Sequence, residues 1–433
     1  MIIPRAEHPI SRAQISENAL KVLNRLREAG YASLLVGGCV RDLMLGREPK
    51  DFDVVTDAHP EQIKQVFRNA RLIGRRFRLA HVHFGRQIIE VATFRATPRA
   101  DEPEDGEDAD DTTDRYHAAN VFGTQEEDAL RRDFTVNALY YNIRDFSVMD
   151  YVGGAQDLKH GILCMIGDPE TRYREDPVRM LRVIRFAAKL GFRIEDRTAA
   201  PIRDLAHLLL TVPPARTFEE VLKLFHGGYA VETYELLRQY GLFQFLFPLT
   251  EESLGGEDQH YPRVLLPQAL TNTDARVEQD KPVNPAFLFA AILWEPVRLE
   301  AQRLIEGGAM PYEAWQQAGE GVLRQQLKHV SIPKRYSVPM REIWLAQLKL
   351  PRRQGKSAFR MLESKRFRAA YDFLLLRAHA GEEERELADW WTRFQEVDPD
   401  ERGGMVRALG PQEGATRRRR RRRKRRDKSH DVG

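Results

Sequence analysis

Two aspartates, Asp51 and Asp53, stand two residues apart in the apolar run DFDVVT. Alternate side chains of a strand project from the same face, so both carboxylates would lie together while Phe52 packs on the other face. Such a pair can bind Mg²⁺ together with substrate phosphates, and bound ions can activate an attacking hydroxyl and stabilise the leaving oxygen of an in-line displacement. Aspartates also serve turns and helix caps, so the pair alone leaves both interpretations open.

A diglycine, Gly37-Gly38, precedes the acidic pair and separates a short apolar run from a helical pattern. Glycines permit close approach of a ligand, and the free N–H groups at the start of a helix favour phosphate. Arg41 follows on the first helical turn. This arrangement is typical of a phosphate-binding turn, and the alternative is a tight strand-to-helix turn with a solvated Arg–Asp pair.

The segments around these residues alternate between helical and strand patterns. Residues 16–29 predict a helix, with Ser16 as its N-cap and Gly30 as its stop. The next predicted elements are a strand over 33–36, a helix over 39–45, a strand over 51–56, a helix over 60–67 and a strand over 87–94. From residue 176 onward the pattern is helical, which predicts a small α/β unit followed by an all-α region.

Composition limits the protein class. The 433 residues contain 42% hydrophobic residues, enough for two or more packed units. We find no run of about 18 apolar residues and no secretory signal pattern, so we expect a soluble cytoplasmic protein with no membrane association. Cys39 and Cys164 are the two cysteines, and their surroundings argue against a disulfide framework and a structural zinc site.

Charge is distributed unevenly along the chain. The net charge of +4 combines an Arg-rich C-terminal tail with a body of net charge −5. Residues 101–114 carry nine carboxylates and predict a mobile loop within the α/β unit. The ten consecutive basic residues 417–426 predict a disordered tail that suits a polyanion such as RNA, although a solvated terminus without a partner would look the same.

Five segments together are similar to the signature of the class II nucleotidyltransferases, the family of bacterial poly(A) polymerases and of CCA-adding enzymes. The segments are LVGGCVRDLMLG (35–46), DFDVVT (51–56), RRDFTVNAL (131–139), DYVGGAQDL (150–158) and EDPVRMLRVIRFAAKLGF (175–192). The resemblance covers residues 16–225 well and the rest loosely. It implies an α+β fold, with a polymerase-β-like head domain followed by helical neck and body domains.

The resemblance assigns roles to several acidic residues. It implies that Asp51 and Asp53 bind Mg²⁺ or Mn²⁺ and that Asp133 is a further acidic residue of the active site. Glu90, on the predicted strand 87–94, is a rival for the third carboxylate. We favour Asp133, because a glutamate that alternates with apolar neighbours can be a solvated strand position.

The resemblance also implies a nucleotide site. Residues expected near the triphosphate and sugar of ATP are Gly37, Gly38, Arg41, Arg132 and Asn137. Asp176 and Arg179, at the start of a predicted helix, would present an acceptor beside a donor, which matches the Watson–Crick edges of adenine and cytosine and rejects guanine and uracil. Arg182 and Arg185 follow on the same helix and could reach phosphates, although structurally neutral arginines would show the same spacing.

Two features favour polyadenylation over CCA addition. The segment LIGRRFRLAHVHF (72–84) resembles one that marks the bacterial poly(A) polymerases within the family and that CCA-adding relatives lack. The tail, represented by Arg417, Arg420, Arg423 and Arg426, would bind many RNA 3′ ends without sequence preference. The alternatives are that the segment 72–84 is an ordinary amphipathic strand and that the tail is dispensable.

These observations predict four regions. They are a catalytic head over 1–165, a helical neck over 166–225, a helical body over 226–410 and a tail over 411–433. We expect a monomer that adds AMP from ATP to the 3′ ends of mRNA and other RNAs and, as the family resemblance implies, promotes decay with RNA-decay proteins. CCA addition to tRNA and noncatalytic RNA binding are the alternatives.

Overall fold

The computed structural model describes residues 1–74, 78–96, 121–255 and 260–410, with the backbone alone for 260–263. The predicted acidic loop 101–114, the predicted tail and residues 75–77 of the segment 72–84 therefore lie outside the described residues. The chain forms two compact units, one from Met1 to Leu205 and one that begins at Ala206. This boundary falls inside the predicted neck, so the division into head, neck, body and tail remains a prediction.

The first unit is a mixed α/β unit. Its strands are β1 (Ile2–Ile3), β2 (Ser33–Val36), β3 (Asp53–Thr56), β4 (Ala70–Ile73), β5 (Leu79–Phe84), β6 (Gln87–Thr93), β7 (Leu139–Asn142), β8 (Val148–Asp150), β9 (Ile162–Leu163) and β10 (Arg193–Ile194). Its helices are α1 (Glu17–Glu28), α2 (Gly38–Met44), α3 (Pro60–Val66), α4 (Gln125–Leu130), α5 (Gly154–His160), α6 (Pro169–Glu175), α7 (Val178–Leu190), α8 (Asp196–Ala199) and α9 (Ile202–Leu205).

Within the described residues, eight strands form one sheet in the order β1-β8-β7-β2-β3-β6-β5-β4. β3 and β6 are parallel neighbours, and the other neighbouring pairs of this sheet are antiparallel. One face carries an apolar cluster that includes Val36, Val55 and Tyr140. Asp53 lies on this face as well, because it stands two residues before Val55 on β3.

The second unit is helical in its described part, which confirms the predicted α+β class. Its helices are α10 (Pro214–Phe225), α11 (Ala230–Gln239), α12 (Phe243–Leu246), α13 (Pro248–Leu254), α14 (His260–Glu278), α15 (Pro285–Ile292), α16 (Trp294–Glu306), α17 (Pro311–Gln326), α18 (Lys334–Gln347), α19 (Lys356–Leu362), α20 (Phe367–His379), α21 (Arg385–Glu396) and α22 (Pro399–Ala408). In the described part of the chain, no helix combines the length and the apolar character needed to cross a bilayer.

The structure corrects the start of one predicted strand and the predicted all-α character of the chain after residue 176, and it fixes where helix α7 begins. β3 begins at Asp53, where pairing with β6 starts, so Asp51 lies in an exposed bend before the strand. Helix α7 begins at Val178, because Pro177 occupies the N-cap position. The region after residue 176 is not entirely helical, since β10 pairs in parallel with β9.

The segment DYVGGAQDL supports the fold around residues 133–137. The Asp150 carboxylate accepts hydrogen bonds from four successive backbone N–H groups, those of residues 152–155, at 2.9–3.1 Å. Gly154 packs directly against the Thr135 backbone, and the Thr135 hydroxyl donates to Asp157 at 2.6 Å. This segment therefore holds the RRDFTVNAL segment in place.

We predict that Gly154→Ala destabilises the first unit. An added Cβ would lie 2.1 Å from the carbonyl oxygen of Thr135, so the backbone must shift. Such overpacking costs about 1–3 kcal/mol, which thermal unfolding followed by circular dichroism would detect as a lower melting temperature. The control is Gly321→Ala in α17, where an added Cβ meets nothing within 4 Å. An unchanged melting temperature for Gly154→Ala would contradict the packing argument.

Candidate active site

The acidic residues come together on neighbouring strands. Asp53 on β3 stands opposite Glu90 on the parallel strand β6. Partners in register project from the same face of a sheet, so the two side chains are neighbours. Asp51 is exposed in the bend before β3, and the intervening Phe52 is buried. Glu90, the rival candidate for the third carboxylate, therefore adjoins Asp53, whereas Asp51 lies before the strand.

The electrostatics of Asp53 fit a cation site. Burial and the nearby Glu90 raise the pKa of Asp53 to about 6, Asp51 adds to the rise, and Arg132 opposes it. In the described residues, no group of three or more His, Cys, Asp or Glu side chains is arranged to hold a metal ion by itself. Carboxylates this crowded suit an ion that takes its remaining ligands from substrate phosphates, as Mg²⁺ commonly does.

The diglycine turn lies beside the acidic pair. Gly37 has a φ of +76°, which side chains rarely adopt, and a Cβ there would lie 3.5 Å from Nη1 of Arg132. Cys39, on the first turn of α2, places its Sγ 3.9 Å from the carbonyl oxygen of Asp53. Burial and Asp53 raise the pKa of the Cys39 thiol to about 12, so this cysteine stays neutral. The turn, Arg132 and Asp53 are therefore adjacent.

Asp128, which the sequence did not single out, holds Arg132 in place. Asp128, 1% exposed, accepts from Arg132 Nη2 at 2.9 Å, from Arg131 Nε at 3.1 Å and from the Tyr140 hydroxyl at 2.9 Å. Burial opposes ionisation of Asp128, but the two arginines hold its pKa below the ordinary value. The spacing of three and four residues between Asp128 and the arginines, on one helix face, was the available signal.

Arg41 and Asn137 belong to a buried network. Arg41 is 2% exposed and donates to Asp42 at 2.7 and 2.8 Å and to Oδ1 of Asn137 at 2.6 Å. The Asn137 amide donates in turn to Asp133 at 3.3 Å. Each side chain is therefore engaged inside the protein, and their predicted contacts with the triphosphate and sugar stay predictions. Their polar groups need these partners because an unpaired buried guanidinium is costly.

Asp133 is engaged by helix α7. Nε of Arg182 donates to its Oδ2 at 2.8 Å, a second guanidinium nitrogen also donates there, and the Phe134 N–H donates to Oδ1 at 2.9 Å. Burial opposes ionisation of Asp133, but Arg182 holds its pKa below the ordinary value. Arg182 therefore forms an ion pair with Asp133, and its predicted phosphate contact stays a prediction. The structure places Glu90, not Asp133, opposite Asp53.

Helix α7 also carries the other predicted nucleotide contacts. Three guanidinium groups surround the ring of Phe186. Their central carbons lie 5.4 Å (Arg41), 5.5 Å (Arg182) and 4.5 Å (Arg185) from its centroid. These distances are typical of cation–π contacts, which fix the position of Arg185 on the helix. The arginines that were predicted to reach phosphates are therefore also part of the packing around Phe186.

The predicted base-reading pair stands at the start of α7. Asp176 accepts from the Val178 N–H at 3.2 Å, and Arg179 donates to Glu175 and to the Arg172 carbonyl, each at 2.7 Å. Asp176 and Arg179 are adjacent on the first turn, and the backbone N–H of Arg179 donates to the Asp176 carbonyl at 3.0 Å. Glu175 is thus an additional carboxylate on Arg179 that spacing alone did not indicate.

We predict that Asp133→Asn destabilises the first unit by about 2 kcal/mol, because a hydrogen-bonded charge pair is lost while the side-chain shape is kept. The folded-state pKa of Asp133 is depressed, so its stabilisation is present above about pH 4 and is lost as the pH falls below that value. Denaturant unfolding at pH 7 and pH 3 measures this difference. Arg182→Gln is the matched variant, and fully additive effects in the double variant would refute the pairing.

Comparison with known proteins identifies the family. Matching family models are described as "Poly A polymerase head domain" over residues 33–164, "Probable RNA and SrmB- binding site of polymerase A" over 191–254 and "Polymerase A arginine-rich C-terminus" over 307–426. The three matches together span most of the chain.

Individual relatives agree with these matches. The chain is 52% identical to Poly(A) polymerase I of Escherichia coli O6:H1 over 427 residues, 96% of this chain and 90% of that protein. It is 47% identical to Poly(A) polymerase I of Haemophilus influenzae over 408 residues, 94% of this chain and 90% of that protein. The crystal structure of the Bacillus stearothermophilus CCA-adding enzyme in complex with CTP aligns with a TM-score of 0.60 and 26% identity, covering 87% of this chain and 80% of that one. The chain therefore belongs to the poly(A) polymerase family of nucleotidyltransferases.

Proposed function

We propose that this protein transfers AMP from ATP to the 3′ hydroxyl of RNA, without a template and with release of pyrophosphate. The observation that carries the proposal is the placement of Asp53 opposite Glu90 and beside the Gly37-Gly38 turn. The identity of 52% to a poly(A) polymerase over nearly the whole chain supports polyadenylation rather than another nucleotidyl transfer.

Asp51, Asp53 and Glu90 would hold Mg²⁺ or Mn²⁺ together with ATP. A divalent ion supplies charge stabilisation on the transferring phosphoryl group and lowers the pKa of a bound hydroxyl. Glu90 takes the place that we expected for Asp133, because Glu90 adjoins Asp53 while Asp133 is bound by Arg182. Asp133 acts as a positioning residue that ties the RRDFTVNAL segment to helix α7.

Arg132 would bind the triphosphate in this proposal. Its guanidinium lies beside Gly37 and close enough to Asp53 to lower the pKa of that carboxylate. Asp128 and Tyr140 hold it in place, so its position costs little entropy when ATP binds. Glycine at position 37 leaves the space in front of Arg132 open to phosphate oxygens.

In this proposal, Asp176 and Arg179 form hydrogen bonds with the Watson–Crick edge of the nucleotide base. The pair accepts the donor–acceptor order of adenine and cytosine, so the preference for ATP over CTP depends on the shape of the surrounding pocket. Glu175 accepts a hydrogen bond from Arg179 and thereby orients its guanidinium. Arg185, held against Phe186, remains a candidate for a phosphate contact.

RNA is the proposed acceptor. Residues 191–254 match a region described as a probable RNA-binding site, and the basic block 417–426 would add phosphate contacts that do not depend on sequence. We propose that the enzyme acts as a cytoplasmic monomer on mRNA and other RNAs and that it works with RNA-decay proteins. These statements about RNA choice, partners and location rest on the family and on the charge distribution.

We predict that the purified protein adds long runs of AMP to a generic RNA oligonucleotide when ATP is present and adds little when each other nucleoside triphosphate is supplied alone. Gel electrophoresis of the labelled RNA measures the products. Asp53→Asn should lower the rate by about a thousand-fold, or about 4 kcal/mol, and leave RNA binding intact. Incorporation of CMP as well as AMP that stops after three nucleotides would indicate CCA addition and overturn the proposal.

We further predict that Glu90→Gln impairs catalysis, whereas Asp133→Asn mainly impairs stability. Glu90→Gln should lower kcat roughly a hundred-fold at an unchanged melting temperature, because a ligand of the ion is lost. Asp133→Asn should lower the melting temperature and affect kcat much less when assayed well below it. Steady-state kinetics with both variants decides the matter, and the reverse result would restore Asp133 as the third carboxylate.

A further inference from the structure

His81 lies next to Glu90 and Asp53 on neighbouring strands of the sheet. His81 on β5 stands opposite Glu90 on β6, which stands opposite Asp53 on β3. The three side chains share one face, because they are partners in register on neighbouring strands. Nε2 of His81 lies 3.2 Å from Oε1 of Glu90. The segment 72–84, noted in the sequence for its resemblance alone, therefore touches the site through His81.

A hydrogen-bond donor beside Glu90 would hold its carboxylate in one position. Its side chain is 49% exposed, whereas that of His81 is 19% exposed. A half-exposed glutamate has several accessible rotamers, and a ligand-binding carboxylate loses affinity when it must be ordered on binding. In the described residues, the buried Nε2 of His81 makes no well-aligned hydrogen bond. A small rotation of Glu90 would align the two groups and satisfy this nitrogen.

We propose that His81 is a positioning residue for Glu90. In the tautomer that carries its proton on Nε2, His81 donates to Oε1 of Glu90 and fixes the carboxylate beside Asp53, while the second oxygen stays available to a divalent ion. This inference rests on the proposed function for the role of Glu90. It assigns His81 no contact with ATP or RNA and no proton transfer.

The neighbouring His83 provides a matched control. It lies on the same strand and the same face, but its partner on β6 is Ile88. The two imidazole rings are 6.3 Å apart, so both belong to the same stretch of sheet. A change at His83 disturbs the packing of β5 to a similar degree and leaves the contact with Glu90 untouched.

The test compares His81→Phe, His81→Gln and His83→Phe in the full-length protein. The first removes the donor and keeps a ring, and the second restores an N–H donor at a similar reach. Three quantities are measured. Steady-state assays with an RNA oligonucleotide give kcat and KM for ATP, and electron paramagnetic resonance in the presence of a nonhydrolysable ATP analogue gives the Kd of Mn²⁺. Circular dichroism confirms folding, and His81→Asn, too short to reach Glu90, replaces His81→Phe should that variant not fold.

We expect His81→Phe to lower kcat about ten-fold and to raise the Kd of Mn²⁺ about ten-fold, with KM for ATP changed less than about two-fold. His81→Gln should recover most of both losses, and His83→Phe should match the unmodified protein. Equal effects of the two phenylalanine variants, an unchanged Kd in His81→Phe, or no recovery in His81→Gln would overturn the assignment. If the unmodified protein transferred no AMP, the proposed function would fail, and Mn²⁺ binding would still decide the role of His81.

Discussion

The crowding of negative charge around Asp53 is the constraint on which the site depends. Asp53 and Glu90 stand opposite each other where β3 begins, and burial, the charge of Glu90 and the charge of Asp51 together raise the pKa of Asp53 to about 6. Arg132 offsets only part of this repulsion. Under the proposed function, a divalent ion bound with the nucleotide would compensate the remainder.

Other buried charges serve to hold backbone segments in place. Asp128 anchors Arg132, Asp133 pairs with Arg182, and Asp150 caps four consecutive N–H groups. Each of these carboxylates has its own cation or its own N–H donors. These paired carboxylates differ from Asp53, whose pKa is raised by burial and by neighbouring negative charge, although both kinds occur within the same family signature.

Local pattern was sufficient for much of this architecture. The cap at Ser16, the strand 33–36 and the diglycine turn follow from neighbouring residues, and the structure confirms them. Local pattern could not reveal which distant segments become neighbours, so the position of Glu90 opposite Asp53 could not be predicted from its alternation with apolar residues. The register of β5, β6 and β3, and the approach of Arg182 to Asp133, exist only once the sheet and α7 have packed together.

The parallel pairing of β3 with β6 has a consequence for the order of folding. Parallel neighbours cannot be joined by a tight hairpin, so the chain must first complete the crossover through α3, β4 and β5 before Glu90 meets Asp53. The strand β2 flanks β3 on its other side. It gains its second partner only when β7 has been synthesised. During synthesis on the ribosome, Asp53 and Glu90 therefore cannot become neighbours before β6 has emerged, and β3 pairs with a strand that has its second partner only after β7 has emerged.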